Sequence, residues 1–179
     1  MMQRKLFLLS TLLLTFFLAP LFSIAASRVE VTFDFHKKLK KATNQYVVWV
    51  ENSKGELVRT LFVTSFTTGN GWTKRPSSLA TWRKFFTEQP TDGISGATPA
   101  SSGKQTYTWD LKDAAGNPVP SGQYTVHIEA NAAMETYVIG SCPVTVSGAS
   151  VTTGAAQTKV TGAAPLEQEM ISNFAVTAK

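Results

Sequence analysis

Apolar and polar residues alternate along several short stretches of the chain. Residues 28–35 place four apolar side chains on one face and polar side chains on the other, which is typical of a half-buried strand. Residues 46–51 are almost continuously apolar, and we expect them to form a central strand. Turn-forming residues at 52–55 then bring residues 56–66 back as a hairpin partner.

The second half of the chain repeats this pattern. Alternation at residues 104–111 and 123–130 predicts two strands, and the turn-rich stretch 112–122 between them predicts a hairpin connection. Further short strands are predicted at residues 137–139, 142–146 and 170–176. Seven or eight short strands separated by Gly/Pro turns favour an all-β sandwich.

One short helix and two loops interrupt the strands. Leu79, Trp82 and Phe86 lie on one helical face, so we expect a short helix over residues 77–89, ending before a proline. Loops are predicted at residues 88–103, which are long and exposed, and at residues 147–164, which are of low complexity.

The N-terminal residues have the pattern of a secretory signal. Arg4 and Lys5 precede a long apolar run, and small residues around Ala25 offer a cleavage site. We therefore expect a signal peptide over residues 1–25 and a single β-sandwich domain over residues 26–179. A retained membrane anchor is the less favoured alternative, and the mature protein is predicted to lie in the periplasm.

The mature chain is only mildly basic. The 179 residues contain 17 Lys and Arg and 12 Asp and Glu, a formal charge of +5. Removing Arg4 and Lys5 leaves 15 basic residues and a charge of +3, which is too small and too scattered to indicate nucleic-acid binding. One cysteine, Cys142, and two histidines exclude an intramolecular disulfide and a Cys/His zinc cluster. No Ser/His/Asp arrangement indicates a catalytic site, and no metal site is predicted.

The predicted hairpin carries a specific sequence pattern. From Trp109 to Tyr124 the chain reads W-D-x-x-D-x-x-G-x-x-V-P-x-G-x-Y. This pattern resembles the hairpin of immunoglobulin-like modules such as that of the flagellar hook-cap protein. The resemblance implies an immunoglobulin-like form of the sandwich but no chemistry.

A wider part of the chain resembles one bacterial family. The order of residues 46–51, residues 55–61, Trp82, residues 92–98 and the hairpin is similar to the periplasmic domain of unknown function 2271. The resemblance covers roughly residues 29–176. Members of that family are similar to proteins encoded near PepSY-type membrane proteins and ApbE-type flavin transferases, which implies a redox setting.

One loop segment resembles a flavin acceptor site. Asp92, Ser95, Gly96, Ala97 and Thr98 fit the pattern D-x-x-[S/T]-G-A-[S/T] of the acceptor segments of ApbE-type flavin transferases. Those enzymes join FMN through its phosphate to the final hydroxyl, so the resemblance implies covalent FMN on Thr98. Small residues at 96 and 97 would let the transferase approach the backbone closely. The alternative is that this segment is ordinary loop composition.

Residues near the motif in sequence are candidates for cofactor contacts. Trp72 and Trp82 are candidates for stacking on the flavin ring, although core positions are the alternative. Four cations are candidates for neutralising the FMN phosphate, with a solvated surface as the alternative: Lys74, Arg75, Arg83 and Lys84.

Two functions follow from these patterns. The first is an exported flavoprotein that passes electrons to or from a PepSY-type membrane redox protein, as a carrier or subunit more than as a turnover enzyme. The second is a non-redox immunoglobulin-like module that binds other periplasmic proteins.

Overall fold

The computed structural model describes residues 28–38, 44–90, 95–133, 136–161 and 170–179. The predicted signal peptide and Asp92 lie outside these residues. The strands are β1 (Val29–Phe35), β2 (Gln45–Asn52), β3 (Leu57–Thr64), β4 (Ser95–Gly96), β5 (Gly103–Trp109), β6 (Gly122–Ala133), β7 (Thr136–Ser147), β8 (Ser150–Thr153), β9 (Gln157–Thr161) and β10 (Ile171–Ala178). The helices are α1 (Ser65–Thr68), α2 (Gly71–Lys74) and α3 (Ala80–Arg83).

Two sheets form the sandwich that alternation predicts. The smaller sheet has the strand order β10-β1-β5. The larger sheet has the order β4-β3-β2-β6-β7-β8, and β9 also pairs with β7. All pairs are antiparallel except the short β3–β4 pair. The all-β class is therefore confirmed, and within the described ranges no helix has the length and apolar character needed to cross a bilayer.

Strand β2 is buried on both faces. Tyr46 and Val48 point into the main core between the two sheets, whereas Val47 and Trp49 point into a second core on the other face. We call these the inner face and the outer face of the larger sheet. A strand covered on both faces has no exposed positions to fill with polar residues, which explains its almost continuous apolar sequence.

The predicted hairpin between β5 and β6 is wrong in one respect. Strand β5 pairs with β1 in the smaller sheet, whereas β6 pairs with β2 and β7 in the larger sheet, so residues 112–122 connect the two sheets. Trp109 and Tyr124 do pack together, with ring centroids 5.3 Å apart, but they meet across the core. Alternation predicts which face of each strand is buried, and it does not distinguish pairing within a sheet from packing between sheets.

The predicted helix over residues 77–89 is much shorter. Only Ala80–Arg83 is helical in that range, and two further single-turn helices precede it, of which α1 begins inside the predicted strand 56–66. Leu79 adopts a left-handed conformation at φ 53° immediately before α3, and both Leu79 and Trp82 are fully buried in the outer core. These two buried side chains hold the segment on the sheet, and a single helical turn is enough to position them.

The predicted low-complexity loop at residues 147–164 is also wrong over its described part. Strands β8 and β9 both lie there and pair with β7. Ser and Thr carry no apolar signal, but main-chain hydrogen bonds to β7 are sufficient to order them. The predicted strand near the C-terminus is present as β10, with a register shift opposite β1 and Asn173 at φ 53°.

Candidate functional site

The acceptor-like segment lies between the edges of the two sheets. Strand β4 pairs in parallel with the end of β3, where Val63 faces Ser95 and Thr64 faces Gly96. The chain then enters β5 at Gly103, which pairs with Phe35 of the smaller sheet. Residues 97–102 therefore run from the edge of one sheet to the edge of the other.

Gly96 lies directly against the ring of Phe62. A Cβ atom at this position would lie 2.5 Å from Phe62 Cε2 and 3.2 Å from Cζ, which no side chain can accept without movement. The glycine of the motif thus has a packing reason in this fold. The sequence analysis had assigned it only to close approach by a transferase, because the pairing of β4 with β3 is not visible in the sequence.

Thr98 is half-buried and follows the exposed Ala97. Among the described residues, none forms a hydrogen bond with the Thr98 hydroxyl. Asp92 lies outside the described residues, as does the side chain of Ser95, so the structure positions three of the five motif residues: Gly96, Ala97 and Thr98.

Lys37 forms two hydrogen bonds with the segment that follows Thr98. Its backbone amide donates to Ser102 Oγ at 2.9 Å, and its Nζ donates to the Ala100 carbonyl at 2.9 Å. The ammonium of Lys37, which follows β1, is thereby held at the carbonyl of a residue two positions after Thr98. The sequence analysis missed Lys37, and the basic run at residues 36–41 was the signal that could have indicated it.

A group of aromatic rings lies on the inner face beside this segment. The group consists of Phe33, Tyr46, Phe62 and Tyr107. The Phe62 ring stacks on Tyr46 and on Tyr107 at centroid distances of 5.0 and 4.8 Å. The hydroxyls of Tyr46 and Tyr107 are 2.7 Å apart and form a hydrogen bond. Burial raises the pKa of both tyrosines, so both phenols are protonated at neutral pH.

The two tryptophans proposed for flavin stacking lie on the outer face instead. Trp82 is fully buried, and its Nε1 donates to Thr60 Oγ at 2.9 Å. It therefore presents no surface on which a cofactor ring can stack. Trp72 is half-buried, and the guanidinium of Arg83 lies 3.8 Å from the centre of its ring. Stacking by Trp72 stays a prediction, with one face of the ring already covered.

Two of the four cations predicted to neutralise the phosphate, Arg83 and Lys84, have partners on the outer face. Arg83 Nη2 donates to the Trp72 carbonyl at 2.8 Å. Lys84 Nζ lies 3.6 Å from a carboxylate oxygen of Glu51. The Arg83 contacts join α3 to α2 within the helical segment, whereas the Lys84 contact joins that segment to β2.

Buried polar side chains hold this helical segment in place. Glu129 is fully buried on β6 and accepts hydrogen bonds from the amides of Thr81 and Trp82, at 3.3 and 3.1 Å, in the first turn of α3. Asn131 Oδ1 accepts from the Leu79 amide at 2.8 Å. Burial raises the pKa of Glu129 to about 7, and the two amides act in the opposite direction.

His127 is a further polar side chain on the outer face. Its ring stacks on Trp49 at 4.9 Å, and its Nε2 lies 3.8 Å from Glu51 Oε2. Burial lowers the pKa of His127, the Glu51 carboxylate raises it, and the ammonium of Lys84 lowers it further. Within the described residues, no group of three or more His, Cys, Asp and Glu side chains could hold a metal ion.

The fold and this site define a β-sandwich that presents a threonine on an edge segment between its two sheets. A family profile matches residues 26–167, and its description is a predicted periplasmic protein, DUF2271. Because the match covers more than half of the chain, the chain belongs to this family of predicted periplasmic proteins. The family and the periplasmic location expected from the sequence are confirmed. No curated protein and no solved structure matches the chain.

Proposed function

We propose that this protein is a periplasmic flavoprotein that carries FMN covalently on Thr98 and transfers electrons to or from a membrane redox partner. An ApbE-type flavin transferase would attach the FMN, and a PepSY-type membrane protein would be the partner. The observation that carries the proposal is the acceptor pattern ending in Thr98, a half-buried residue whose hydroxyl forms no hydrogen bond with the described residues.

The described residues around Thr98 fit a phosphate-linked flavin. The hydroxyl is available for a phosphoester, and the exposed Ala97 beside it adds little steric hindrance. The ammonium of Lys37, held at the Ala100 carbonyl, supplies a positive charge close to where the phosphodiester would lie. Bound FMN would supply the redox chemistry, and the protein would hold it, shield it and set its electrostatic environment.

Covalent attachment also suits the compartment. A protein outside the cytoplasm cannot exchange its cofactor with a cytoplasmic FMN pool, and a phosphoester bond keeps the cofactor in place. The acceptor pattern would be read from an edge segment that joins two sheets, so a transferase could reach it without opening the core. The buried rings of the sandwich would remain packed during modification.

Intact mass spectrometry tests this proposal directly. The protein would be co-expressed with an ApbE-type transferase and exported, beside Thr98→Ala, Thr98→Ser and Ser101→Ala variants. We expect the wild type and Thr98→Ser to gain the mass of one FMN less one water, because a serine hydroxyl also fits the pattern. Ser101→Ala is the matched control, since it removes an exposed hydroxyl of the same segment, and it should be labelled like the wild type.

Retention of the mass gain in Thr98→Ala would contradict Thr98 as the acceptor. An unmodified wild type, under conditions in which the transferase labels another acceptor protein, would contradict the flavoprotein as a whole. The non-redox binding module would then be the better account of this fold.

A further inference from the structure

We infer that Phe62 and Tyr107 form the surface on which the isoalloxazine ring of the Thr98-linked FMN packs. This inference rests on the proposed function and names the residues that hold the reactive part of the cofactor. Neither residue belongs to the acceptor pattern, and the sequence analysis assigned neither of them to the cofactor.

Thr98 is close enough along the chain for its FMN to reach this pair of rings. Gly96 contacts the Phe62 ring directly, and Thr98 is only two residues further along the chain. Two residues span at most about 7 Å, so the backbone of Thr98 lies within about 7 Å of that of Gly96. The ribityl phosphate of FMN is a flexible chain, and it can place the flavin ring back over the surface from which the segment departs.

Phe62 and Tyr107 lie together where the edges of the two sheets meet. Phe62 comes from β3 and Tyr107 from β5, so the pair joins the edges of the two sheets on the side that the acceptor segment crosses. The two rings are nearly parallel, with an interplanar angle of 29°, and both are half-buried. Their exposed parts offer aromatic surface beside Thr98, and a flat aromatic ring gains both apolar burial and stacking there.

The Tyr107 ring is held in place by its neighbours in the core. Tyr107 is fixed by the hydrogen bond between its hydroxyl and that of Tyr46, which is fully buried in the core. Phe33 lies 6.1 Å from Tyr107 on the inner side. Side chains that are already ordered lose little conformational entropy when a ligand binds, so this pair is organised before the cofactor arrives.

Fluorescence of the attached flavin tests the inference. A tyrosine in contact with an excited flavin quenches it, because an electron passes from the phenol ring to the flavin and returns when the charges recombine. Proteins whose FMN content has been shown by mass to be complete would be compared as wild type, Tyr107→Phe and Tyr124→Phe. Tyr124 is the matched control, because its ring packs on Trp109 and not on the proposed pair. It pairs with Asn52, which lies six residues, about 20 Å, along β2 from Tyr46.

We expect the wild type to show a short-lifetime component that is lost in Tyr107→Phe and kept in Tyr124→Phe. A Phe62→Leu variant should leave the flavin more accessible to iodide, because the ring loses its stacking partner but the core stays filled. A fully flavinylated protein whose lifetimes are the same with Tyr107 and with Phe would overturn the inference alone. Absence of FMN in the wild type would overturn the proposed function and, with it, this surface.

Discussion

The two faces of the larger sheet are stabilised in different ways. The inner face meets the smaller sheet through apolar and aromatic side chains, and the hydroxyls of Tyr46 and Tyr107 pair at its edge. The outer face is covered by residues 65–90, which fully buried Trp82 and the buried acceptors Glu129 and Asn131 hold in place.

This difference separates stability from the candidate function. Residues on the outer face hold the helical segment on the sheet, and the raised pKa of Glu129 predicts that the stability of this attachment depends on pH. Residues at the inner edge, by contrast, surround Thr98 and contribute a surface. Variants on the outer face should therefore change unfolding, whereas variants at the edge should change modification and cofactor contacts.

Trp82→Ala should destabilise the protein by about 3–5 kcal/mol, because it empties a fully buried position in the outer core and leaves the Thr60 hydroxyl without its indole partner. Chemical denaturation measures the free energy of unfolding. Trp72→Ala is the matched control, and since that ring is half-buried it should cost about 1–2 kcal/mol. Equal losses in the two variants would contradict the assignment of Trp82 to the core.

Glu129→Gln should change the pH dependence of stability. The pKa of Glu129 is raised from 4.5 to about 7 by folding, so its protonated form contributes stability below pH 4.5 that is lost as the pH rises towards 7. Glutamine does not ionise. Between pH 5 and pH 8 the stability of the variant relative to the wild type should therefore increase by about 2–3 kcal/mol.

The comparison between variant and wild type is needed because His127 acts in the opposite direction. Its pKa is lowered by folding, so its contribution to stability is present above pH 6.5 and is lost as the pH falls below that value. His127 titrates in both proteins and largely cancels in the difference. A difference in unfolding free energy that does not change with pH would contradict the raised pKa of Glu129.

The sequence predicted the inner face better than the outer one. Strict alternation in β1 and the double-sided run in β2 specify which residues enter the main core, and the structure follows both. The outer layer depends on Glu129 and Asn131 meeting amides some fifty residues away, which no local pattern reveals. For the same reason Trp82 was a candidate for the cofactor, although it belongs to the outer core.

At the site, the motif residues were visible in the sequence but their surroundings were not. The acceptor pattern consists of residues close together in the chain, so it can be recognised from the sequence. The contact between Gly96 and Phe62, and the bonds from Lys37, join residues that are distant in the chain. The same limit applies to β5 and β6, whose alternation indicated buried faces but not that the two strands lie in different sheets.

Gly96→Ala should destabilise the protein by about 1–3 kcal/mol, because the added methyl group would overlap the Phe62 ring. Thermal or chemical unfolding measures the loss. Gly154→Ala is the control, since a Cβ there would lie 3.4 Å from the Pro143 ring, close to an ordinary contact. Combining Gly96→Ala with Phe62→Leu should recover part of the loss, and no recovery would contradict the overlap as its cause.

Lys37→Gln should have the smallest effect on stability, within about 0.5 kcal/mol, because the side chain is exposed. Losing its bond to the Ala100 carbonyl should nevertheless loosen the segment after Thr98. Amide hydrogen exchange is expected to become faster in residues 97–102 and to stay unchanged in β6. Lys74→Gln is the matched control on the outer face and should leave the exchange of this segment unaltered.

Peptide mapping of the protein exported by its own host shows whether Thr98 carries FMN. After proteolysis, tandem mass spectrometry would locate any added mass within the peptide that contains residues 92–98. The account predicts one FMN less one water on Thr98 and on no other residue of that peptide. An unmodified peptide, from a host whose transferase demonstrably labels other proteins, would contradict it.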